Sequence, residues 1–583
     1  MGGFILAKRE NGADSKNDSA LLNDALAVFS KKGLALNKKL VTRDFVIYVY
    51  HKYKFKIENV VNFDNDQFII STGTLIYKEK SGGDALRNLF HDFSENGEFF
   101  KNTYGQYCLI IFKQGKLYLF NDALGVYPLY LNKPANIISS SFLATLKTLK
   151  KKTIAHQELY EYLINETFYG YKTMVAEIDQ IDSRHILQLS PEPALIPRKP
   201  QNTRLNRNSS FDEMVKEVSN NLIEYFKIVK TAFDNEICAA LSSGLDTRLM
   251  LALMRKVGIK PELYVHGKKD SSDVRVSEAI TKGEGLELKV ENPDDYPRND
   301  ERDFRKLVEM NYYWLDGLGE EYGAFLTGFD MDTYFKRLER ARLHIQGSGG
   351  EAFRNRLMLP DKSYDILSVI RAHYDKYSSS LFTDIFNKKE YLSALVNKSK
   401  FLFDNKCKNI DRQSIEMIYN FFHLKHHIAN IAKINNQFSY SLYPFTEMSI
   451  TSQSLDIPIR YKDYGVFEAA LINYIDPALA QYYSIQYGYK YSEYKNIPFT
   501  KKLRYLARIH SPIILRPIIR RNYWKRDQFG RDKFPYYLES RYLKQVFPND
   551  DLTISRYINI DKITKYTMMS RALSAELVMN DML

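Results

Sequence analysis

Two short turns carry residues whose types and spacing could do chemistry. The first is Ser242-Ser243-Gly244-Leu245-Asp246-Thr247. Small side chains let successive backbone N–H groups point into such a turn, making an anion nest at a helix N-terminus. Asp246 adds a hard oxygen ligand suited to Mg²⁺ beside phosphates. No GxxxxGK[ST] sequence occurs, so this is not a loop gripping β and γ phosphates for γ-transfer. The shorter SxGxD[ST] form suits cleavage of ATP to AMP and pyrophosphate. The plainer alternative is a tight strand–helix turn with Asp246 as a cap. The second turn is Gln346-Gly347-Ser348-Gly349-Gly350-Glu351, after the apolar Leu343-His344-Ile345. Two Gly/Ser turns with one carboxylate each can face one another and hold a nucleotide's phosphates with Mg²⁺ between Asp246 and Glu351.

Such turns must sit at the carboxyl ends of parallel strands. The apolar run Ile237–Leu241 leads into the first turn, and a helix from Arg248 to Lys256 follows. Leu263-Tyr264-Val265 reads as a second strand, followed by His266-Gly267, Ser272-Asp273 and a helix over Val274–Lys282. Alternating strand and helix predicts a doubly wound parallel sheet. A helix is predicted from Ser210, where Ser210 and Glu213 form a capping box. The first ~190 residues read as β-rich, with a hairpin around Gln114-Gly115. The Pro-rich stretch 191–209 reads as a linker, and helical periodicity dominates beyond ~360. The predicted organisation is α/β, with domains at 1–190 and 210–500 and a basic, mostly helical extension at 501–583.

With these motifs in place, the chain resembles the asparagine synthetase family, nearest to glutaminase-less relatives such as β-lactam synthetases and lasso-peptide cyclases, from residue 1 to about 500. The family's SGGxD[ST] loop maps onto Ser242–Thr247, with Ser243 replacing a glycine. Its second motif, SGxG[AS]DE, maps onto Gln346–Ala352. The resemblance implies an N-terminal Ntn-type αββα glutaminase-like domain and a C-terminal adenine-nucleotide α-hydrolase-like (PP-loop) domain. It implies nucleotide contacts at Leu241, Ser242, Ser243, Gly244, Asp246, Thr247, His266, Gln346 and Gly347. It implies metal ligands Asp246 and Glu351, the latter in place of Asp. Tyr443-Pro444-Phe445-Thr446 and Ile457-Pro458 resemble a further family segment. A basic residue there would neutralise the pyrophosphate-leaving transition state. Lys490 is the candidate, with Lys495 and Lys462 as rivals. Ser348 stands where asparagine synthetases carry a glutamate that assists aspartyl-adenylate formation, which argues against aspartate as substrate.

Residues 104–107, 122–130 and 139–142 fit the glutaminase pattern, but its reagent is missing. The family's nucleophile is a cysteine directly after the initiator Met, and here that residue is Gly2. Glycine has no side-chain nucleophile, so the thioester route is closed. Thr72-Gly73-Thr74 replaces an Asn-Gly-Glu, and Asn121 replaces an arginine. Cys108, within an apolar run, reads as a core residue.

The implied activity is ATP-dependent amide formation. A small-molecule, peptide or sugar-acid carboxylate is adenylated and passed to ammonia or an amine. Lactam, macrolactam and uronamide products all remain open. So does a non-catalytic ATP-binding relative, because Ser243, Ser348 and Glu351 are off-pattern. An RNA-adenylating enzyme is a weaker alternative, and nucleic acid is not an expected partner.

Composition bounds these readings. Hydrophobic residues at 44% and charged residues at 26% exclude a chain disordered throughout. The sequence shows no signal peptide and no run of ~18 apolar residues. Three cysteines without CxxC exclude a disulfide framework or a zinc ribbon. A soluble, cytoplasmic protein is expected. Residues 501–533 hold eleven Lys or Arg against two Asp, or +9 of the net +13. A solvated basic face is the plain reading; an anionic substrate, acidic partner, membrane surface or RNA would be a functional one. Asp273 reads as a helix cap more readily than as a ligand, and Glu320-Glu321 as a solvated turn. His266 is a poor candidate for a general base.

Overall fold

The computed structural model describes residues 2–9, 15–134, 137–199, 203–295, 303–319, 323–325, 335–337, 341–403, 409–519, 534–549 and 551–582. Glu320-Glu321, Cys407, Tyr523 and Trp524 lie outside the described residues. The chain folds as α/β with separate antiparallel and parallel sheets.

Residues up to about 197 build two six-stranded antiparallel sheets. One runs Ile178–Gln180, Tyr130–Asn132, Ile137–Ser139, Gly3–Lys8, Phe45–Tyr50, Leu36–Val41. The other runs Ala194–Pro197, His185–Ser190, Lys116–Asn121, Tyr107–Lys113, Phe68–Gly73, Val60–Asn62. Strand alternation assigns the layers. Phe4, Leu6, Ile47 and Val49 of the first sheet meet Phe68, Ile70, Cys108 and Ile110 of the second. The alternate positions Ile69, Leu109 and Ile111 pack on Leu86, Leu89 and Phe90 of helix Gly82–Asp92. The other face of the first sheet lies under helices Ser15–Lys31 and Phe142–Lys147. The layers are therefore helix, sheet, sheet, helix. The expected hairpin turns at Gln114 and Gly115, both with positive φ, as a tight two-residue connection requires.

Residues 237–442 contribute five parallel strands: β1 (Ile237–Ala240), β2 (Glu262–His266), β3 (Leu288–Glu291), β4 (Leu343–Ile345) and β5 (Tyr440–Leu442). Their order is β3-β2-β1-β4-β5. β1 pairs with both β2 and β4, so the winding direction reverses between β1 and β4. Ligands of such sheets bind at this switch point, outside the carboxyl ends of the strands. The helix at Phe211–Phe233 opens with the expected Ser210/Glu213 capping box.

Two expected boundaries need correction. The 191–209 stretch is not wholly a linker, because Ala194–Pro197 pairs with His185–Gln188 as an edge strand. Proline is tolerated there because an edge strand leaves one row of N–H groups unused. Nor is 501–583 simply an appendage. Its last helix, Tyr566–Met582, is buried along most of its length, and the fully buried Arg571 donates to Leu163 O at 3.1 Å. Apolar residues on every face drive it into the protein. Among the described residues no helix is long and apolar enough to cross a membrane.

The antiparallel and parallel parts share a polar, buried boundary. Asp316 accepts from Lys32 Nζ at 2.9 Å, from Phe142 N–H at 2.6 Å and from the Ser141 hydroxyl. Burial works to raise the Asp316 carboxyl, but the Lys32 and Lys433 charges outweigh it and hold it below its ordinary range. Gln106 Oε1 accepts from Tyr443 N–H at 3.0 Å. Glu447 Oε1 accepts from Gly105 N–H at 2.7 Å and Tyr225 OH at 3.2 Å, beside a cavity of about 380 Å³. Burial pushes the Glu447 carboxyl up to about 8. A carboxyl whose folded pKa is raised binds protons better folded than unfolded. Its contribution to stability is fully present below about 4.5 and is lost as pH rises to about 8. Glu447→Gln keeps both hydrogen bonds and should flatten that slope. Urea unfolding at pH 5, 6, 7 and 8 tests it; an unchanged slope would show that Glu447 does not carry the dependence.

Candidate functional site

The loops after β1 and β4 flank the switch point and touch. A Cβ on Gly350 would overlap Asp246 Oδ1, and one on Gly347 would crowd the Asp246 carbonyl at 3.0 Å. A side chain at Gly350 would displace the Asp246 carboxylate, and one at Gly347 would press on the Asp246 backbone, so glycine at both positions suits this close approach. The expected juxtaposition of Ser242–Thr247 with Gln346–Glu351 is present.

The polar groups of the first turn are internally engaged. Ser242 N–H donates to Thr247 Oγ1 at 3.0 Å, and Gly244 N–H donates to Ser242 Oγ at 3.2 Å. Ser243 N–H and Oγ both donate to Asp273 Oδ1, at 2.9 and 2.5 Å. Asp273 is thus not the expected helix cap. Ser271 caps that helix through Val274 N–H, because a cap must precede the first turn and Asp273 lies within it. The Asp273 carboxylate instead occupies the turn as an internal anion. Leu241 donates its N–H to Tyr264 O at 2.8 Å and accepts at its carbonyl from Ser277 Oγ at 3.1 Å. His266 ends β2 at the surface. Gln346 N–H donates to Leu442 O at 3.0 Å, tying the second turn to β5.

Asp246 faces an unexpected partner. Arg354 Nη2 reaches both its carboxylate oxygens, at 2.7 and 2.8 Å. Arg354 Nε lies 3.1 Å from Glu468 Oε2. Glu468, on helix Val466–Ile475, is fully buried, and neither of its oxygens has a hydrogen-bond partner. Glu351 folds back, accepting Gly349 N–H at 3.2 Å. Burial, then the Asp246 charge, pushes the Glu468 carboxyl well above its usual range. Burial also raises Asp246, with Arg354 opposing the rise and Glu351 adding to it. Three carboxylates therefore share one guanidinium. Sequence reasoning missed Arg354 and Glu468. Arg354 lies three residues beyond Glu351, just past the 3₁₀ turn Gly350–Phe353, and Glu468 arrives from a helix over a hundred residues away.

Lys490 is exposed on a two-residue strand. Lys495 is exposed, 3.8 Å from Asp212. Lys462 is fully buried, and its Nζ donates to Glu416 at 3.1 Å. The cation at the carboxylates is Arg354. Among the described residues no group of three His, Cys, Asp or Glu side chains is arranged to hold a metal. Mg²⁺ commonly takes one or two carboxylates plus substrate phosphates, so Asp246 and Glu351 fit that ion in the company of a nucleotide.

Residue 2 itself offers no side-chain nucleophile and no room for one. Gly2 N–H donates to Tyr50 O at 3.2 Å, and a Cβ there would overlap His51 O. Thr74 Oγ1 donates to Asn436 Oδ1 at 2.7 Å and accepts from Ser441 N–H at 2.8 Å. Asn121 Nδ2 donates to Tyr127 O at 2.8 Å. Cys108 is buried in the core as expected, and burial pushes its thiol well above the usual range.

No family model matches this chain, and no curated protein matches it. One solved structure with local similarity is glutamine phosphoribosylpyrophosphate amidotransferase from B. subtilis complexed with ADP and GMP. It is 10% identical, covers 49% of this chain and 65% of its own, and has a TM-score of 0.20. A second, described as the allosteric regulatory enzyme of purine biosynthesis, is 10% identical, covers 49% and 64%, and scores 0.22. The similarity spans less than two thirds of either chain.

Arg354→Met removes the shared counter-charge and leaves Asp246 and Glu468 facing each other. The expected cost is about 3–5 kcal/mol at pH 8, as when one partner of a buried ion pair is removed. The deficit shrinks toward pH 5, where protonation relieves the repulsion. Urea denaturation at both pH values measures it; a loss below about 1 kcal/mol, the range of exposed pairs, would overturn the shared-guanidinium account.

Proposed function

We propose that this chain is an ATP-dependent, amide-forming ligase of the asparagine synthetase type that hydrolyses no glutamine. The observation carrying this reading is the contact of the Ser242–Thr247 and Gln346–Glu351 turns at the switch point, each bringing one carboxylate. In this reading the N-terminal residues form an Ntn-type domain and the parallel sheet a PP-loop domain. The chain is cytoplasmic. A bound nucleotide with Mg²⁺ would supply an activatable α-phosphate. Asp246 and Glu351 would hold the metal, and the turn's N–H groups would face the phosphates in place of Asp273. Arg354 would offer positive charge near the leaving pyrophosphate. The carboxylate substrate is a small acid, peptide or sugar acid, and the acceptor is ammonia or an amine.

A second reading, a relative that binds ATP without catalysis, is favoured by the two internal contacts, Arg354 on Asp246 and Asp273 on Ser243. Pyrophosphate–ATP isotope exchange with candidate acids separates the two, since only the ligase exchanges label.

Substrate-stimulated turnover should yield AMP and pyrophosphate. Stoichiometric ADP in product chromatography would remove the adenylation mechanism. Asp246→Ala and Glu351→Ala should each weaken calorimetric binding of Mg²⁺ with α,β-methylene ATP by about 1.5–3 kcal/mol, as for a lost charged hydrogen-bonding group.

No ammonia should be released from glutamine by the parent or by Gly2→Cys. The parent lacks sulfur at residue 2. The variant has no space for its side chain, and Thr74 is committed to Asn436 and Ser441. An ammonia assay against heat-killed protein checks this. Release by the parent, abolished by substituting Cys108, would refute both the inactive-glutaminase claim and the core role of Cys108.

A further inference from the structure

The helix Phe499–Ile509 and the turn after it make an unusual surface. Phe499, Leu503 and Leu506 recur at i, i+4 and i+7, so they form one helical stripe. All three are exposed, Phe499 at 76%. Just beyond, Ile514, Ile518 and Ile519 are exposed as well, Ile514 at 77%. Isolated exposed apolar residues need no explanation, but a concentration of large ones marks an interaction surface.

The surface is a fixed platform. Tyr505 OH donates to Asp463 Oδ1 at 2.9 Å, and its ring packs on Tyr464 with centroids 4.2 Å apart. Ile509 is buried. Arg516 donates to Leu357 O at 3.0 Å and to Met358 O at 2.7 Å, pinning the turn to the body. These anchors occupy one side of the segment and leave the apolar stripe facing outward.

The charges decide what fits it. Residues 499–519 contain Lys501, Lys502, Arg504, Arg508 and Arg516 and no acidic residue, and Arg520, Arg521, Lys525 and Arg526 follow in the sequence. A second copy of the chain would bring cations against cations. Single-stranded nucleic acid would satisfy the charges but leave the aliphatic side chains exposed, since bases stack on aromatic rings. An interfacial helix that buries apolar residues among headgroups while lysines and arginines meet anionic lipid satisfies both features.

We propose that Phe499–Ile519 docks this protein onto an anionic phospholipid surface, without crossing it. The platform adjoins the candidate site through Asp463, which accepts from Asn355 Nδ2 at 2.8 Å, next in sequence to Arg354. A docked molecule therefore carries that site close to the bilayer. The docking itself does not depend on ATP chemistry.

The test is co-sedimentation of full-length protein with extruded vesicles of phosphatidylcholine alone and of 7:3 phosphatidylcholine to phosphatidylglycerol, in 0.1 M salt (compositions chosen for roughly physiological screening). Binding should be at least about tenfold stronger to the anionic vesicles and weaken in high salt. Leu503→Asp with Leu506→Asp should abolish it, and Arg504→Glu with Arg508→Glu should weaken it at least about tenfold. Both pairs alter exposed side chains, and parent-like thermal unfolding confirms that they fold. Polyglutamate and a single-stranded oligonucleotide serve as competing probes. The proposal is overturned if anionic vesicles are not bound, if the Leu pair binds them like the parent, or if either polyanion binds more tightly than the vesicles. Because no nucleotide is present, failure here is separate from failure of the ligase reading.

Discussion

Three acidic side chains converge where the parallel sheet reverses its winding, and one arginine balances them. Arg354 grips Asp246 with two short hydrogen bonds and lies against Glu468, whose carboxyl also faces Asp246. Burying even one unpaired carboxylate is costly, so this cluster persists only because the guanidinium reaches two of them. The packing follows from it. The β1 and β4 turns approach closely enough that Gly350 leaves no room for a Cβ beside Asp246. Helix Val466–Ile475 is held where Glu468 can enter.

The same economy governs the Ser242–Thr247 turn. Three of its N–H groups meet acceptors from the chain itself: Ser242 N–H meets Thr247 Oγ1, Gly244 N–H meets Ser242 Oγ, and Ser243 N–H meets Asp273. Asp273 therefore satisfies the Ser243 N–H and hydroxyl without a ligand, which matters because unpaired donors cost free energy. Any phosphate entering the turn competes with a carboxylate already in place. Arg354 and Asp273 thus stabilise the two sides of one resting arrangement, one supplying positive charge and the other negative.

The boundary between the antiparallel and parallel parts uses buried polar contacts in quantity. Lys32 with Asp316, Gln106 with Tyr443, Thr74 with Asn436 and Ser441, and Glu447 with Gly105 and Tyr225 all cross it. Each is directional and would be left unsatisfied by a shift of register, so together they fix one relative placement. Residues at which the sequence suggests a lost glutamine pocket, Thr72–Thr74 and Asn121, are absorbed into core and boundary contacts. The segment has a structural use that does not require catalysis.

Local pattern was sufficient for much of this. The apolar run before Ser242, the small residues within the turn and the Ser210/Glu213 box determine strand, turn and helix start, because each depends on neighbours within a few positions. The Gln114-Gly115 hairpin and the core placement of Cys108 are legible for the same reason. The facing of the two turns also followed, since alternating strands and helices constrain a parallel sheet to bring its loops to one edge. The counter-charge was not legible. Lys490, Lys495 and Lys462 were plausible by position in the chain, yet the tertiary structure leaves two of them on the surface and pairs the third with Glu416. Arg354 and Glu468 reach Asp246 from separate elements, and no periodicity links residues 246, 354 and 468. Asp273 looked like a cap because caps are common at such positions, and only the packing of its helix against the turn turned its carboxylate toward Ser243. What sequence determined here is short-range hydrogen bonding and side-chain period. Which charges neutralise one another was decided by where the helices pack.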